Sequence, residues 1–235
     1  MSDPERHPDA APDLAPDSEP DAAPEAPRSA PYLDPYRDAV DRFGPSFEAT
    51  LWANERFQTT RFQVFCSLFD FTDATIIDAG AGDGAFARYL HEQGIRFGRY
   101  LGLEAMPEMV DRANELAPPN AASAVADFAS DPSAFAIDGR APSVIVFSGS
   151  LNTFTQRLAT ETLAHAWRAA SGAVLFNFLS TRTHRARASD DTGPANRFDP
   201  LALLDWAMTE SPSVALRQDY LKGHDATIAM FKDAD

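Results

Sequence analysis

The sequence predicts one doubly wound α/β domain, in which helices cover both faces of a mostly parallel sheet. Apolar, β-branched segments that suit buried strands alternate along the chain with amphipathic helical segments. A glycine-rich turn joins the first of these strands to its helix, and two further strands close the chain. We expect this domain to span residues 32–235 and to follow a tail over residues 1–31.

The first 31 residues differ in kind from the rest. Proline recurs every four positions from Pro4 to Pro24 among Asp, Glu and Ala, which prevents a helix and leaves little apolar surface to bury. This composition predicts a disordered acidic tail, and a passive extension is favoured over a proline motif that binds a partner. Two helices are then predicted, over residues 34–43 and 46–68, as a cap on the sheet.

The most informative segment is residues 76–84, which read IIDAGAGDG. The β-branched run predicts a buried strand, and Gly80 and Gly82 allow a tight turn whose N–H groups face a ligand. The spacing also fits the dinucleotide fingerprint G-x-G-x-x-A. Asp78 distinguishes the two interpretations, because a dinucleotide-binding strand normally carries an apolar side chain there, whereas a buried carboxylate needs a polar or cationic partner.

This segment resembles the first motif of class I S-adenosylmethionine-dependent methyltransferases, in which an acid at the position of Asp78 faces the methionine end of the cofactor. The resemblance implies a methyltransferase that uses S-adenosyl-L-methionine, with Gly80 and Gly82 in the cofactor-binding turn. It also implies a Rossmann-like, seven-stranded sheet with an antiparallel last strand and a helical N-terminal cap.

Two more strand ends match the family. Glu104 ends the second strand, where the resemblance implies a carboxylate on the ribose hydroxyls and places Ala105 and Met106 against the adenine. The alternative is that Glu104 caps the helix that Pro107 opens. Asp127 and Phe128 follow the third strand, and the resemblance places them at the adenine amino edge; the alternatives are a turn cap and a core residue.

The fourth strand, residues 144–148, breaks into the small polar residues Ser148, Gly149 and Asn152. Ligands of open α/β sheets lie outside the carboxyl ends of central strands, so we expect these residues where the methyl group is transferred. The strand lacks the Asn/Asp-Pro-Pro-aromatic and Pro-Cys motifs of nucleobase methyltransferases. The single cysteine, Cys66, lies in an apolar helix, and no Cys/His pair has zinc-ligand spacing, so no metal is expected.

Arg61 follows the apolar face of the second predicted helix toward its N-terminal end. In the family such leading helices form a lid, so an arginine there is placed to pair with the cofactor carboxylate. An ordinary surface ion pair with Glu55 or Asp70 is the equally favoured alternative.

The last third of the chain carries the expected acceptor contacts. A fifth buried strand over residues 172–180 contains Asn177, and a long loop with Arg182, His184, Arg185 and Arg187 follows it. The loop indicates either recognition of an anionic small-molecule acceptor or a solvated connection. In the closing hairpin, Tyr220 and His224 are candidates for acceptor contact. His224 is a candidate general base, against the alternative of an exposed turn residue.

The composition of the chain limits the partners and the location that we expect. The formal charge of −15 would repel a nucleic acid, and no apolar stretch approaches a membrane span. A single thiol favours the cytoplasm, and nothing indicates the oligomeric state. The rival functions are an NAD-dependent oxidoreductase, a non-catalytic S-adenosylmethionine-binding module and a methyltransferase that acts on protein.

Overall fold

A computed structural model describes Met1, residues 30–183 and residues 192–233. In this part of the chain, six helices lie at α1 Asp34–Phe43, α2 Glu55–Leu68, α3 Ala85–Glu92, α4 Pro107–Glu115, α5 Gln156–Ala169 and α6 Pro200–Glu210. The strands are β1 Thr75–Ala79, β2 Arg99–Glu104, β3 Ala121–Val125, β4 Val144–Ser148, β5 Ala173–Ser180, β6 Arg197–Phe198, β7 Ser213–Arg217 and β8 Asp225–Phe231. The acidic tail and the basic residues His184, Arg185 and Arg187 lie outside the described residues.

The strands form one sheet in the order β3-β2-β1-β4-β5-β8-β7. All neighbours are parallel except β8, which runs antiparallel between β5 and β7. This confirms the predicted Rossmann-like sheet and its antiparallel last strand; the two-residue strand β6, which pairs with β5, is an addition. The strand order reverses between β1 and β4, and the crevice at such a point is where ligands bind.

Two apolar clusters cover the two faces of the sheet, and alternation along β1 assigns its side chains to them. Ile77 packs with Phe147 and Leu163 on the face covered by α5 and α6. Ile76 packs with Phe65 on the face covered by α2 and α3. Because both faces are covered, the central strands are apolar at nearly every position, as the sequence indicated.

The predicted helix over residues 46–68 is wrong in its first third. A short 3₁₀ turn spans Phe47–Thr50, Leu51 adopts a left-handed conformation with φ 60°, and α2 begins only at Glu55. Asn54 ends the break by accepting a hydrogen bond from the Phe57 N–H at 3.0 Å, which is an N-cap. The break sets Trp52 against Gly149, where a Cβ on the glycine would lie 2.8 Å from the indole. The helix α6 was not predicted from the sequence.

Candidate cofactor and acceptor site

A cavity of about 400 Å³ opens at the carboxyl ends of the parallel strands. Its wall includes the glycine turn after β1, the ends of β2 and β4, the inner side of α2 and the turn before β8. Every site residue that the sequence predicted for the cofactor or for catalysis lies on this wall. These residues are Arg61, Asp78, Gly80, Gly82, Glu104, Ala105, Met106, Asp127, Phe128, Ser148, Asn152 and His224.

The glycine turn needs its glycines for two reasons. Gly80, Gly82 and Gly84 have φ values of 81°, 55° and 77°, a region that side-chain-bearing residues rarely adopt. A Cβ on Gly80 would also collide with Ser150, whose hydroxyl donates to the Ala79 carbonyl. The turn therefore brings bare backbone to the cavity, as a cofactor cradle requires.

Asp78 carries a buried carboxylate whose two oxygens differ in their hydrogen bonding. Its side chain is 2% exposed, and the Tyr100 hydroxyl donates a hydrogen bond to Oδ2. Oδ1 has no hydrogen-bond partner among the described residues. Burial raises the pKa of Asp78 to about 7; the Tyr100 hydrogen bond opposes this rise and the nearby Glu104 charge adds to it. A cationic ligand group would satisfy Oδ1.

Glu104 is fixed by two backbone donors. The Gly82 N–H donates to Oε2 and the Met106 N–H to Oε1, each at 3.0 Å. Met106 directly precedes α4, but no side chain makes a cap hydrogen bond at the N-terminus of that helix, so Glu104 does not cap it. Each carboxylate oxygen keeps acceptor capacity, so the cavity side remains free for hydroxyl donors. Burial raises the pKa of Glu104, and these backbone hydrogen bonds lower it in part.

Asp127 shows the geometry of the turn-cap alternative. Its Oδ1 accepts from the Ala129 N–H at 3.2 Å, and the Tyr32 hydroxyl donates to both carboxylate oxygens at 2.8 and 2.7 Å. Phe128 is 8% exposed and packs on Phe147, as a core residue does. Both still face the cavity, and Oδ2 accepts only from Tyr32 among the described residues, which leaves it room for an amino group.

Asn177 organises the end of β4, a role that sequence reasoning missed. Its Oδ1 accepts from the Gly149 N–H at 2.8 Å, and its Nδ2 lies 3.5 Å from the Ser148 hydroxyl. Asn152 then faces the cavity with a buried Oδ1 that has no partner in the described chain. An amide inside an otherwise apolar strand was the signal in the sequence.

Arg61 is neither exposed nor paired as the surface alternative expected. It is 4% exposed, its Nε donates to Oδ1 of the fully buried Asp225 at 3.0 Å, and its guanidinium lies 4.0 Å from the Trp52 ring centre. The alternative of a pair with Glu55 or Asp70 is therefore wrong. The Nη1 group has no hydrogen-bond partner among the described residues and remains a donor for a ligand.

His224 reaches the cavity through the turn that precedes β8. Its Nδ1 lies 3.2 Å from Asp225 Oδ2, and its Nε2 lies 3.0 Å from Arg197 Nη2. Its side chain is 41% exposed, as the turn-residue alternative expected, and it also lines the cavity. Burial acts to raise the pKa of Asp225, but the His224 hydrogen bond and the Arg61 charge hold it below its usual value.

Two expected acceptor contacts are not on the cavity wall. Tyr220 is 9% exposed, and its hydroxyl lies 2.6 Å from the Thr227 hydroxyl. Arg182 pairs with Asp199 at 3.0 Å, with both side chains exposed. Tyr220 is held by its neighbour across the turn, and Arg182 by the residue that caps α6.

Comparisons with known proteins show which family and which folds this chain is similar to. The methyltransferase domain family matches residues 77–170. Among solved structures, magnesium protoporphyrin IX methyltransferase from Synechocystis PCC 6803 with bound SAH is 12% identical, with a TM-score of 0.60 over 86% of this chain and 94% of that one. An O-methyltransferase family protein from Burkholderia thailandensis is 17% identical, with a TM-score of 0.64 over 84% of this chain and 62% of that one. A DhpI–SAM–HEP complex is 13% identical, with a TM-score of 0.61, and the match covers 86% and 98% of the two chains.

At these identities the solved structures show the fold, and no curated protein matches the chain. The chain is similar to the methyltransferase domain family over residues 77–170, and it has the fold of the solved methyltransferases. In the described ranges, no helix is long and apolar enough to cross a membrane, and no group of three His, Cys, Asp or Glu side chains is arranged to hold a metal ion.

Proposed function

We propose that this protein transfers a methyl group from S-adenosylmethionine to a small-molecule acceptor, with the cofactor at the glycine turn and the acceptor between β4 and the turn before β8. The unpartnered Oδ1 of the buried Asp78 is the observation that carries the cofactor assignment. A buried carboxylate oxygen is costly without a donor, and the cofactor's ammonium group is a suitable donor.

The other residues of the cavity fit the same ligand. Glu104 would accept the ribose hydroxyls, and Ala105 and Met106 would lie against the adenine. Asp127 would accept the adenine amino group beside the Tyr32 hydroxyl, next to Phe128. Arg61 would pair with the cofactor carboxylate through the donors that Asp225 leaves free. When bound, the cofactor supplies a methyl group on a sulfonium, and the protein aligns it with the acceptor and excludes water.

Aromatic side chains favour a small, planar acceptor. Trp52, Phe57 and Phe154 line the same cavity as Asn152 and His224. Concave sites with apolar walls and a few polar groups are typical of small-molecule binding. We further propose that the acceptor carries an anionic group, which the basic residues Arg185 and Arg187 of the loop after β5 support; Arg182 is paired with Asp199, and Arg197 lies off the cavity wall.

The formal charge of −15 argues against a nucleic-acid acceptor, and the single thiol of Cys66 supports a cytoplasmic location. A concave cavity of about 400 Å³ favours a small-molecule acceptor over a folded protein. A methyltransferase that acts on protein is therefore the second candidate, to be tested by incubating the enzyme with a labelled methyl donor and a cell extract and asking whether label enters macromolecules or small molecules.

Calorimetric titration tests the cofactor assignment. S-adenosylhomocysteine should bind to the wild type, NAD should not, and Asp78→Asn should weaken the binding by about 1.5–3 kcal/mol, the range for hydrogen bonds to a charged group. Asp83→Asn, which removes a carboxylate paired with Arg88 outside the cavity wall, is the matched control. NAD binding without a response to S-adenosylhomocysteine would refute the proposal.

A further inference from the structure

A single buried carboxylate joins α2 to the turn before β8. Asp225 is fully buried, and its Oδ1 accepts from Arg61 Nε at 3.0 Å while its Oδ2 lies 3.2 Å from His224 Nδ1. Isolated buried charges are strongly unfavourable, and even paired ones contribute little net stability. The Arg61–Asp225 pair lies beside the cavity. Its role therefore concerns the orientation of His224 more than the free energy of folding.

The hydrogen bonds on both sides of the imidazole define its tautomer. Arginine has donors only, so Arg197 Nη2, 3.0 Å away, must donate to Nε2, and Nε2 carries the lone pair. An ionised carboxylate accepts only, so Nδ1 carries the proton and donates to Asp225. Arg61 secures this arrangement, because its charge holds Asp225 ionised and its stacking on Trp52 holds the guanidinium in place.

We propose that Asp225 is a positioning residue that fixes His224 as the Nδ1–H tautomer, and that His224 Nε2 takes the proton from a hydroxyl group of an aromatic acceptor. The inference rests on the proposed function and specifies its acceptor class. The acceptor hydroxyl takes the place that Arg197 Nη2 occupies in the free protein. The aromatic ring lies among Trp52, Phe57 and Phe154.

The step is balanced without another reactant. The acceptor O–H bond breaks and its proton passes to His224 Nε2. The acceptor oxygen forms a bond to the methyl carbon as the bond from that carbon to sulfur breaks, and the electron pair of that bond stays on sulfur. The imidazolium then donates to Asp225 through Nδ1. Among the described residues, the charged and titratable groups of the neighbouring elements that lie around this step are Asp225, Arg61, Arg197 and Tyr220.

Nuclear magnetic resonance of the imidazole nitrogens tests the positioning role in the full chain. The chain has five histidines, and His224→Gln identifies the signals of His224. In the wild type at neutral pH, Nδ1 should be protonated and Nε2 should be the bare acceptor. Asp225→Asn should give a mixture of tautomers. Asp219→Asn, in the same hairpin but paired with Arg217, should leave the spectrum of His224 unchanged. A protonated Nε2 in the wild type would overturn the proposal.

Methylation of two phenols tests the proton transfer, with His224→Gln as the variant because its half-exposed side chain is less important for folding than Asp225. The hydroxyl of phenol is protonated at mildly alkaline pH, whereas 4-nitrophenol is already ionised. His224→Gln should slow methylation of phenol by about a hundredfold or more, the usual contribution of general base catalysis, and should hardly affect 4-nitrophenol.

The outcomes separate this inference from the function on which it rests. An equal loss with both phenols assigns His224 to binding and refutes the base. Failure of the wild type to methylate any phenol, with S-adenosylhomocysteine still bound, refutes the aromatic hydroxyl class and leaves the methyltransferase assignment standing. If the wild type does not bind S-adenosylhomocysteine, the proposed function itself is refuted.

Discussion

Replacing Asp78 by Asn should make the free protein more stable while weakening its cofactor binding. Asn has nearly the same shape and offers the Tyr100 hydroxyl an oxygen to donate to, so the substitution removes a buried charge with little disturbance of packing. The residue would then be a site where function is kept at the expense of stability, which is common where ligands must meet charge.

The magnitude follows from the pKa of Asp78, which is about 7 in the folded protein and 3.8 as a reference value. Because the folded-state pKa is raised, the unfolded chain releases its proton first as pH rises, and the folded state is penalised from pH 3.8 upward until the penalty is complete above pH 7. At about 1.4 kcal/mol per pKa unit, the full penalty is roughly 4 kcal/mol. Asn escapes it.

Urea unfolding of wild type and Asp78→Asn at several pH values measures this difference. The variant should be no more stable at about pH 4 and should gain up to about 4 kcal/mol by about pH 8. A constant difference at all pH values, or a variant that is less stable at alkaline pH, would refute the argument that burial penalises this carboxylate.

The same linkage governs binding. An ammonium ligand needs the ionised carboxylate, so the affinity of the wild type for S-adenosylhomocysteine should fall about tenfold per pH unit below pH 7. 5′-Methylthioadenosine lacks the ammonium group, and its affinity should change much less over this range. Equal pH dependence of the two ligands would remove Asp78 from the ammonium site.

Three further predictions follow from the site. Glu104→Gln should weaken S-adenosylhomocysteine binding by about 1.5–3 kcal/mol and lower the stability of the free protein by about 1 kcal/mol, because the amide nitrogen cannot accept from Gly82 or Met106. Unchanged affinity in calorimetry would leave Glu104 with the structural role of holding these two backbone groups only. A chain that begins at Ala30 should keep its melting temperature and cofactor affinity, and a loss of either would contradict the division near residue 31. With 4-hydroxybenzoate as acceptor, Arg182→Ala should leave KM unchanged, because Arg182 pairs with Asp199 off the cavity wall, whereas Arg185→Ala should raise KM if the basic loop binds the anionic group.

Much of the fold was predictable because its signals are local. The apolar runs of β1, β4 and β5, the glycine turn and the closing hairpin each lie within about twenty residues, and connectivity rules arrange them into one sheet. Element boundaries failed where a local cap competes with a longer apolar pattern. Asn54 starts α2 after a break that helical periodicity alone does not reveal. The helix α6 was missed because it is apolar around most of its surface, with Leu201 and Met208 exposed.

The site residues that lie at strand ends could be predicted from the sequence. Asp78 and Glu104 lie at the carboxyl ends of β1 and β2, and Asp127 lies just after β3, so sheet geometry alone brings them to one edge. What could not be predicted is how each side chain is already engaged. Tyr32 covers Asp127 from 95 positions away, and Arg182 turns to Asp199 instead of the cavity. Such contacts depend on tertiary packing, which residue spacing does not encode.

The order of the strands explains why the two ends of the cavity differ in charge. The strands β1, β2 and β3 form one half of the sheet and bring carboxylates to the cavity, which suits a cofactor with an ammonium and a sulfonium group. In the other half, β8 inserts between β5 and β7 and thereby carries Asp225 and His224 to Arg61, which lies 164 positions earlier than Asp225. Arg61 faces the cavity, so a substitution of Asp225 should affect the binding of both ligands. Without the carboxylate, the Arg61 guanidinium that would pair with the cofactor carboxylate loses its partner. The His224 imidazole that would contact the acceptor loses its partner as well.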